Sequence, residues 1–141
     1  MTAPADADAF FDTNVLLYLL SGDTAKAERA ETLLTGGGLI SVQVLNEFAS
    51  VARRKAGLDW AEIADLTGTF RQTLKVLPLT EAMHTRGLVL AGEVGFSFYD
   101  CLIVAAAETA GAGVLWSEDM QDGRRIGQLT IRNPFARGAD G

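Results

Sequence analysis

Short apolar runs alternate with longer stretches of mixed apolar and polar residues along the chain. The short runs are typical of buried strands, whereas the longer stretches, bounded by capping residues and glycines, are typical of helices. Five strands are predicted, at residues 9–11, 39–41, 76–79, 114–116 and 130–132. Pro78 favours an edge position for the third strand, because proline cannot donate a hydrogen bond to a neighbouring strand.

Helices are predicted between these strands, and most of them open near a residue that caps helix N-termini. They cover residues 15–20, 24–35, 42–56, 59–74, 80–91 and 97–110. Gly57 and Gly92 are predicted to end two of them, since glycine commonly follows the last helical turn. The alternation of strands and helices predicts one α/β domain over residues 1–141, with a mainly parallel sheet.

Composition and charge narrow the possible functions of this domain. Apolar residues make up 48% of the 141-residue chain, which is enough for a core, and the net charge is −6. A nucleic-acid-binding role therefore needs a local positive surface, or a metal ion that offsets clustered carboxylates. The lone Cys101 excludes an internal disulfide and suits a reducing cytoplasm. The N-terminus has no signal-peptide pattern and the apolar run 15–20 is too short to cross a membrane, so a cytoplasmic protein is expected.

Four carboxylates fall at one edge of the predicted sheet, where open parallel sheets bind ligands. Asp12 and Asp119 follow the first and fourth strands, Glu47 lies in the second turn of the helix after the second strand, and Asp100 lies in the first turn of the helix from Ser97. Carboxylates brought together repel one another, so a cation such as Mg²⁺ is the simple compensation. Such an ion can activate water for attack on phosphorus.

Taken singly, each acid also has a purely structural explanation. Asp12 is a good helix cap, Glu47 lies away from the apolar stripe of its helix, and Asp119 lies in an acidic turn-like stretch. Asp100 resembles part of a Ser97-x-x-Asp100 cap, but it shares a helix face with apolar residues, where an acid is rarely buried without a partner. Asp100 is therefore the acid least easily explained by structure alone.

Four sequence blocks together resemble the PIN-domain family, and within it the VapC-type toxins. They are FFDTNVLLYLL, SVQVLNEFASVARR, FSFYDCLIVAAA and VLWSEDMQDG, and the resemblance covers nearly the whole chain. It implies a three-layer α/β/α domain with a short, mainly parallel five-stranded sheet. It also implies a Mg²⁺- or Mn²⁺-dependent endoribonuclease that acts on RNA and is the toxin of a toxin–antitoxin pair. The implied protein partners are a cognate antitoxin and a second copy of the chain.

The resemblance assigns roles to particular residues. It implies that the catalytic and metal-binding acids are Asp12, Glu47, Asp100 and Asp119. It implies supporting roles near the metal for Asn14, Ser41, Ser117 and Asp122. Because Glu118 stands beside Asp119, which of these two acids points inward stays open.

Other functions remain as alternatives. A non-catalytic PIN-like module that binds RNA or protein is one of them. A phosphatase of the haloacid-dehalogenase type is disfavoured, because Asn14 stands where such enzymes need an acid and Lys75 is the last lysine. The basic run 53–55 either complements a helix C-terminus or contacts phosphate, and the same choice between surface charge and phosphate contact applies to Arg124 and Arg125.

Overall fold

Ala9–Phe11 forms a central strand, β1, in the computed structural model of the protein, which describes residues 9–136. On one side β1 pairs in parallel with β2 (Leu39–Ser41), and β3 (Lys75–Leu77) continues the sheet to one edge. On the other side β1 pairs in parallel with β4 (Val114–Trp116), followed by β6 (Leu129–Arg132). The two-residue β5 (Arg125–Ile126) pairs antiparallel with β6 at the far edge. The strand order is β3-β2-β1-β4-β6-β5.

This order reverses at β1, because the chain leaves β1 for β2 on one side and reaches β4 later on the other. Phe10 is opposite Leu39 in β2 and Leu115 in β4. In open parallel sheets such a reversal leaves a crevice outside the carboxyl ends of the strands. By this rule the crevice of the present sheet lies just after Phe11.

Six α-helices connect the strands in the described part of the chain. They are α1 (Thr13–Leu17), α2 (Thr24–Thr35), α3 (Val42–Lys55), α4 (Trp60–Thr73), α5 (Glu81–Val94) and α6 (Phe98–Thr109), with a 3₁₀ turn at Tyr18–Leu20 after α1. All three residues of β1 and of β2 are buried. Since neighbouring side chains of a strand point to opposite faces, helices must cover both faces of the sheet. The predicted three-layer α/β/α architecture is therefore confirmed.

Most predicted elements occur within one or two residues of their predicted bounds. β3 lies at an edge, as Pro78 indicated, and the strand predicted at 130–132 is β6. Within residues 9–136 the sheet has six strands rather than the predicted five, because β5 adds a strand of only two residues, too short to show a hydrophobic pattern. Helix α5 continues past Gly92 to Val94 and ends at Gly95 in a left-handed conformation (φ 79°).

Helix α6 is the most apolar helix in the described chain and packs mainly against α5. Every residue from 101 to 107 is buried, which includes the free Cys101. Within residues 9–136, no single helix is long and apolar enough to cross a membrane; α5 and α6 reach that length and composition only as a pair bent by 116°.

Candidate functional site

Asp12 lies at the carboxyl end of the central strand, at the bottom of the crevice. Its backbone N–H donates to Trp116 O (3.0 Å), which fixes it beside β4. The side chain caps α1: Oδ1 accepts from the Thr13 N–H at 2.7 Å. Asp12 is only 3% exposed. The capping explanation for Asp12 is therefore correct, but it accounts for only one of the two carboxylate oxygens.

Ser117 occupies the equivalent position after β4 and is fully buried. Its hydroxyl donates to Oδ2 of Asp12 at 2.6 Å. The Ser117 Oγ also accepts from the backbone N–H groups of Asp119 and Met120, both at 3.2 Å. One hydroxyl thus orients Asp12 and shapes the loop that carries Asp119.

The amide of Asn14 joins these two acids. Its Nδ2 donates to Oδ2 of Asp119 at 3.0 Å and to Oδ2 of Asp12 at 3.3 Å. Its Oδ1 accepts from the Glu118 N–H at 3.4 Å. Asn14 therefore holds Asp119 toward Asp12, although Asp119 itself is exposed.

Glu47 reaches the crevice from α3, which starts directly after β2. The buried Ser41 caps this helix, its Oγ accepting from the Val44 N–H at 3.4 Å. Glu47 is partly buried: Oε1 accepts from Thr13 Oγ1 at 2.9 Å, and Oε2 accepts from Gln43 Nε2 at 2.8 Å. Glu47 is therefore not a solvated surface acid.

Thr13 and Gln43 are the polar residues of this site that sequence reasoning missed. Gln43 stands four residues before Glu47, a spacing at which two side chains meet on one helix face. Thr13 lies between the singled-out Asp12 and Asn14, and it is 5% exposed. The helical spacing could have found Gln43, whereas the contact of Thr13 with Glu47 spans 34 residues and needs the tertiary fold.

Asp100 enters from the first turn of α6 and is partly buried. Ser97 caps the helix, and its Oγ accepts from the Asp100 N–H at 3.2 Å. Ser97 also forms a side-chain hydrogen bond with the Asp100 carboxylate. Its charge acts on Asp12, and the charges of Glu47 and Asp119 act on it. The four acids therefore share one electrostatic environment.

Burial and mutual repulsion raise the pKa of two of these acids. Desolvation is the main reason that the pKa of Asp12 rises to about 7, and the charges of Asp100 and Glu47 add to it. Hydrogen bonds from Ser117 and Thr13 oppose this rise. Burial is also the main reason that the pKa of Asp100 is raised; the charges of Glu47 and Asp119 add to the rise, and the hydrogen bond with Ser97 opposes it. A bound cation would offset the repulsion among these carboxylates and favour their charged forms.

The donor set suits a hard divalent cation, because it consists of carboxylate oxygens with hydroxyl and amide groups around them. Among residues 9–136, however, no three His, Cys, Asp or Glu side chains lie close enough together to hold an ion. Protein donors occupy both oxygens of Glu47 and an oxygen of Asp119. The residues fit Mg²⁺ or Mn²⁺ in chemistry, and binding requires these side chains to shift toward the ion.

Glu118 and Asp122, the two other acids of this segment, contact groups outside the acid cluster. The Glu118 carboxylate accepts from the Tyr18 hydroxyl and pairs with Lys26 Nζ at 3.1 Å. Asp122 is exposed, and its Oδ1 accepts from the Asn133 N–H at 2.8 Å, which holds its own turn. Asp119 is therefore the acid of this segment that points toward Asn14 and Asp12.

The structure also shows the surroundings of four further aromatic or basic residues. Trp116 is buried, and the exposed His84 packs against the Phe98 ring. Arg53, in the last turn of α3, donates to Leu58 O at 3.1 Å. Arg124 lies over the Phe96 ring, 5.7 Å from its centroid, and so stands close to the start of α6.

The PIN domain family model matches residues 9–125, so the chain belongs to the PIN domain family. Among solved structures, it resembles a toxin–antitoxin complex from Klebsiella pneumoniae (TM-score 0.68, 22% identity, covering 90% of this chain and 98% of that one). It also resembles Mycobacterium tuberculosis VapC20, described as a toxin that cleaves the sarcin–ricin loop (TM-score 0.66, 18% identity, covering 79% and 91%).

A third similar structure is a DNA-bound VapBC complex from Salmonella typhimurium (TM-score 0.66, 19% identity, covering 89% of this chain and 97% of that one). At these identities the structural likeness shows the fold alone. No protein of curated function matches the sequence.

Proposed function

We propose that this protein is a metal-dependent endoribonuclease that hydrolyses RNA phosphodiester bonds. The observation that supports this function best is Asp12, buried at the crevice of a PIN fold with its pKa raised to about 7 by burial and by Asp100 and Glu47. A buried acid among other acids is costly for stability, and such perturbed groups concentrate at functional sites.

The proposed roles follow from the position of each side chain. Asp12, Asp100 and Asp119 would hold Mg²⁺ or Mn²⁺, and Glu47 would orient the attacking water. When bound, the ion would acidify that water and offset negative charge at the phosphate. Ser117 and Asn14 orient the metal-binding acids, while Thr13 and Gln43 orient Glu47.

We further propose that the nuclease is the toxin of a toxin–antitoxin pair and acts on RNA in the cytoplasm. The similar solved structures include a VapC toxin and complexes named as toxin with antitoxin, which supports a cognate antitoxin protein as partner. A homodimer is proposed on the sequence resemblance alone. Co-purification with the product of an adjacent small gene would test the antitoxin partner directly.

A non-catalytic PIN-like module that binds RNA or protein is the alternative function. The hydrogen bonds that orient Asp12, Asn14 and Asp119 argue against it, because a module that only binds has no need to collect mutually repelling acids around a buried one. Asp12→Ala separates the two functions: a nuclease would lose RNA cleavage, whereas a binding module would keep its binding.

The deciding experiment is cleavage of total cellular RNA by the purified, antitoxin-free protein, with Mg²⁺, Mn²⁺ or excess EDTA. We expect metal-dependent cutting that Asp12→Ala and Asp119→Asn lack. Asp122→Asn is the matched control, because it neutralises an acid three residues from Asp119 that contacts Asn133 instead. A folded protein that cuts no RNA with either metal would contradict the nuclease and favour the binding module.

A further inference from the structure

Glu118 forms a second polar cluster on the outer side of the Ser117–Asp119 loop. Its Oε1 accepts from the Tyr18 hydroxyl, and Lys26 Nζ lies 3.3 Å from Oε1 and 3.1 Å from Oε2. The Lys26 and Glu118 side chains are 35% and 30% exposed. Exposed ion pairs contribute little to stability by themselves. The cluster is therefore of interest because it lies beside the loop that carries Asp119, not because of its contribution to folding.

Aromatic rings fix the two partners of Glu118. The Tyr18 ring packs edge-on against Phe135, with centroids 4.8 Å apart. Lys26 Nζ lies 5.1 Å from the Tyr18 centroid and 5.2 Å from the Phe135 centroid, within the range of cation–π attraction. Burial and the bond to Glu118 raise the pKa of Tyr18, so its hydroxyl stays protonated and donates.

The backbone of Glu118 points the other way, to the acid site. Its N–H donates to Asn14 Oδ1, and the amide of the same Asn14 donates to Asp119 Oδ2 at 3.0 Å. Glu118 therefore holds its loop against the short segment 14–18 at two points. Its backbone N–H contacts Asn14, and its carboxylate contacts Tyr18. With both points held, the loop cannot turn without breaking the contact that orients Asp119.

We propose that Glu118, anchored by Tyr18 and Lys26, is a positioning residue that holds the loop of Asp119 beside the acid site, where Asp119 can bind the divalent metal ion. This proposal rests on the proposed metal site. Lys26 adds a second effect, because it neutralises the Glu118 charge beside the acid cluster. Glu118 itself binds no metal in this scheme, and its carboxylate serves only to hold the loop.

The test measures Mn²⁺ binding to the full chain, purified free of antitoxin, by isothermal titration calorimetry. Glu118→Ala is expected to raise the Mn²⁺ dissociation constant about 10-fold, the effect typical of groups that orient metal ligands. Tyr18→Phe and Lys26→Met each remove one anchor and are expected to give smaller rises. RNA cleavage by these variants should recover at saturating Mn²⁺, because the metal ligands themselves remain.

Glu118→Gln is the conservative variant. Its amide oxygen still accepts from Tyr18 but no longer pairs with Lys26, so the expected Mn²⁺ affinity lies between those of the wild type and Glu118→Ala. In the Glu118→Ala background, Tyr18→Phe and Lys26→Met should have no further effect, because both act through Glu118. A full additional loss in that background would overturn the positioning role.

The chain offers a matched ion pair as a control. Arg86 pairs with Glu108 at 2.9 and 3.1 Å, with side chains 41% and 23% exposed, near the other end of α6 from Asp100. Glu108→Ala should leave Mn²⁺ binding unchanged. An equal loss of Mn²⁺ affinity in Glu108→Ala would show a general effect of stability and overturn the proposal.

The outcomes also separate this proposal from the proposed function. If the wild type binds Mn²⁺ and Glu118→Ala binds it equally well, the positioning role is wrong and the metal site stands. If the wild type and Asp12→Ala both bind no Mn²⁺, the proposed metal-dependent function is wrong and the positioning role fails with it.

Discussion

Asp100 illustrates how one side chain serves two purposes. Its N–H completes the cap of α6 through Ser97, and its carboxylate contributes charge to the crevice. Replacing the carboxylate leaves the hydrogen bond from the Asp100 N–H to Ser97 Oγ, so the cap of α6 is kept. Asp100→Asn is expected to abolish RNA cleavage while leaving folding intact or slightly improved, since it relieves repulsion in the metal-free site.

RNA cleavage with Mn²⁺ and thermal unfolding in EDTA would check this prediction for Asp100→Asn. Cleavage at the wild-type rate would mean that Asp100 is no ligand of consequence. Glu108→Gln, at the other end of the same helix, serves as a control that changes a helix carboxylate away from the crevice.

Ser117 is expected to be the most costly hydroxyl of the site to remove. Ser117→Ala deprives Asp12 of a buried donor and deprives two backbone N–H groups of their acceptor. Leaving such buried groups without partners costs about 1–3 kcal/mol. The pKa of Asp12 should rise further, because the Ser117 hydrogen bond lowers it.

Urea unfolding measures the stability loss caused by Ser117→Ala. Ser50→Ala, at an exposed position of α3, is the control and should change the free energy of unfolding by less than about 0.5 kcal/mol. Equal stability of the two variants would contradict the role assigned to the Ser117 hydroxyl.

At the scale of secondary-structure elements, alanine substitutions of two glycines near the end of α5 are expected to change stability in opposite directions. Gly92 lies inside the helix, and a methyl group added there would meet nothing within 4 Å, so Gly92→Ala should stabilise the protein by about 0.5–1 kcal/mol. Gly95 ends the helix with φ 79°, where Gly95→Ala should destabilise it by about 1 kcal/mol. Thermal unfolding of the two variants checks both signs, and changes of the same sign would contradict the helix boundary.

The same helix shows where a sequence stops predicting structure. Gly92 and Gly95 look alike in the sequence, and only the backbone conformation shows that the second one ends α5. Helix starts were more predictable: the helices expected from about residues 24, 59, 80 and 97 begin there, capped by Asp23, Asp59, Thr80 and Ser97. Local hydrogen bonds to the first turn determine these starts, so a local pattern is enough to predict them.

For the site, the sequence singled out the four acids and two groups that orient them, Asn14 and Ser117, but not Thr13, Gln43, Tyr18 or Lys26. Strand order and the position after each strand were enough to predict that Asp12 and Asp119 lie at one edge of the sheet. The different orientations of Glu118 and Asp119 depend on Tyr18, Lys26 and Asn14, which contact them across about a hundred residues of chain. No local pattern encodes those contacts.

At the scale of the whole molecule, Asp12 links stability to pH. Its pKa is raised from 3.8 to about 7 in the folded protein, so the folded chain keeps a proton that the unfolded chain releases. The stability that Asp12 contributes is therefore present below about pH 4 and is lost as pH rises through 7. At about 1.4 kcal/mol per pH unit, the loss amounts to at most about 4 kcal/mol.

Urea unfolding in EDTA, from pH 4 to pH 8, would measure this linkage. The wild type should lose stability relative to Asp12→Asn across that range, because the amide does not titrate. Adding Mn²⁺ at pH 8 should then stabilise the wild type and not Asp12→Asn. Parallel stability curves for the two proteins would contradict the raised pKa of Asp12.

The pairing of β1 with β4 also has a consequence for how the protein is made. Asp12 and the serine that orients it are 105 residues apart. At the usual rate of about 5–20 residues per second, a ribosome takes roughly 5 to 20 s to add the second after the first. Until then the nascent chain lacks the Ser117 hydroxyl that donates to Asp12. The nuclease proposed here therefore becomes active only after the ribosome has added Ser117.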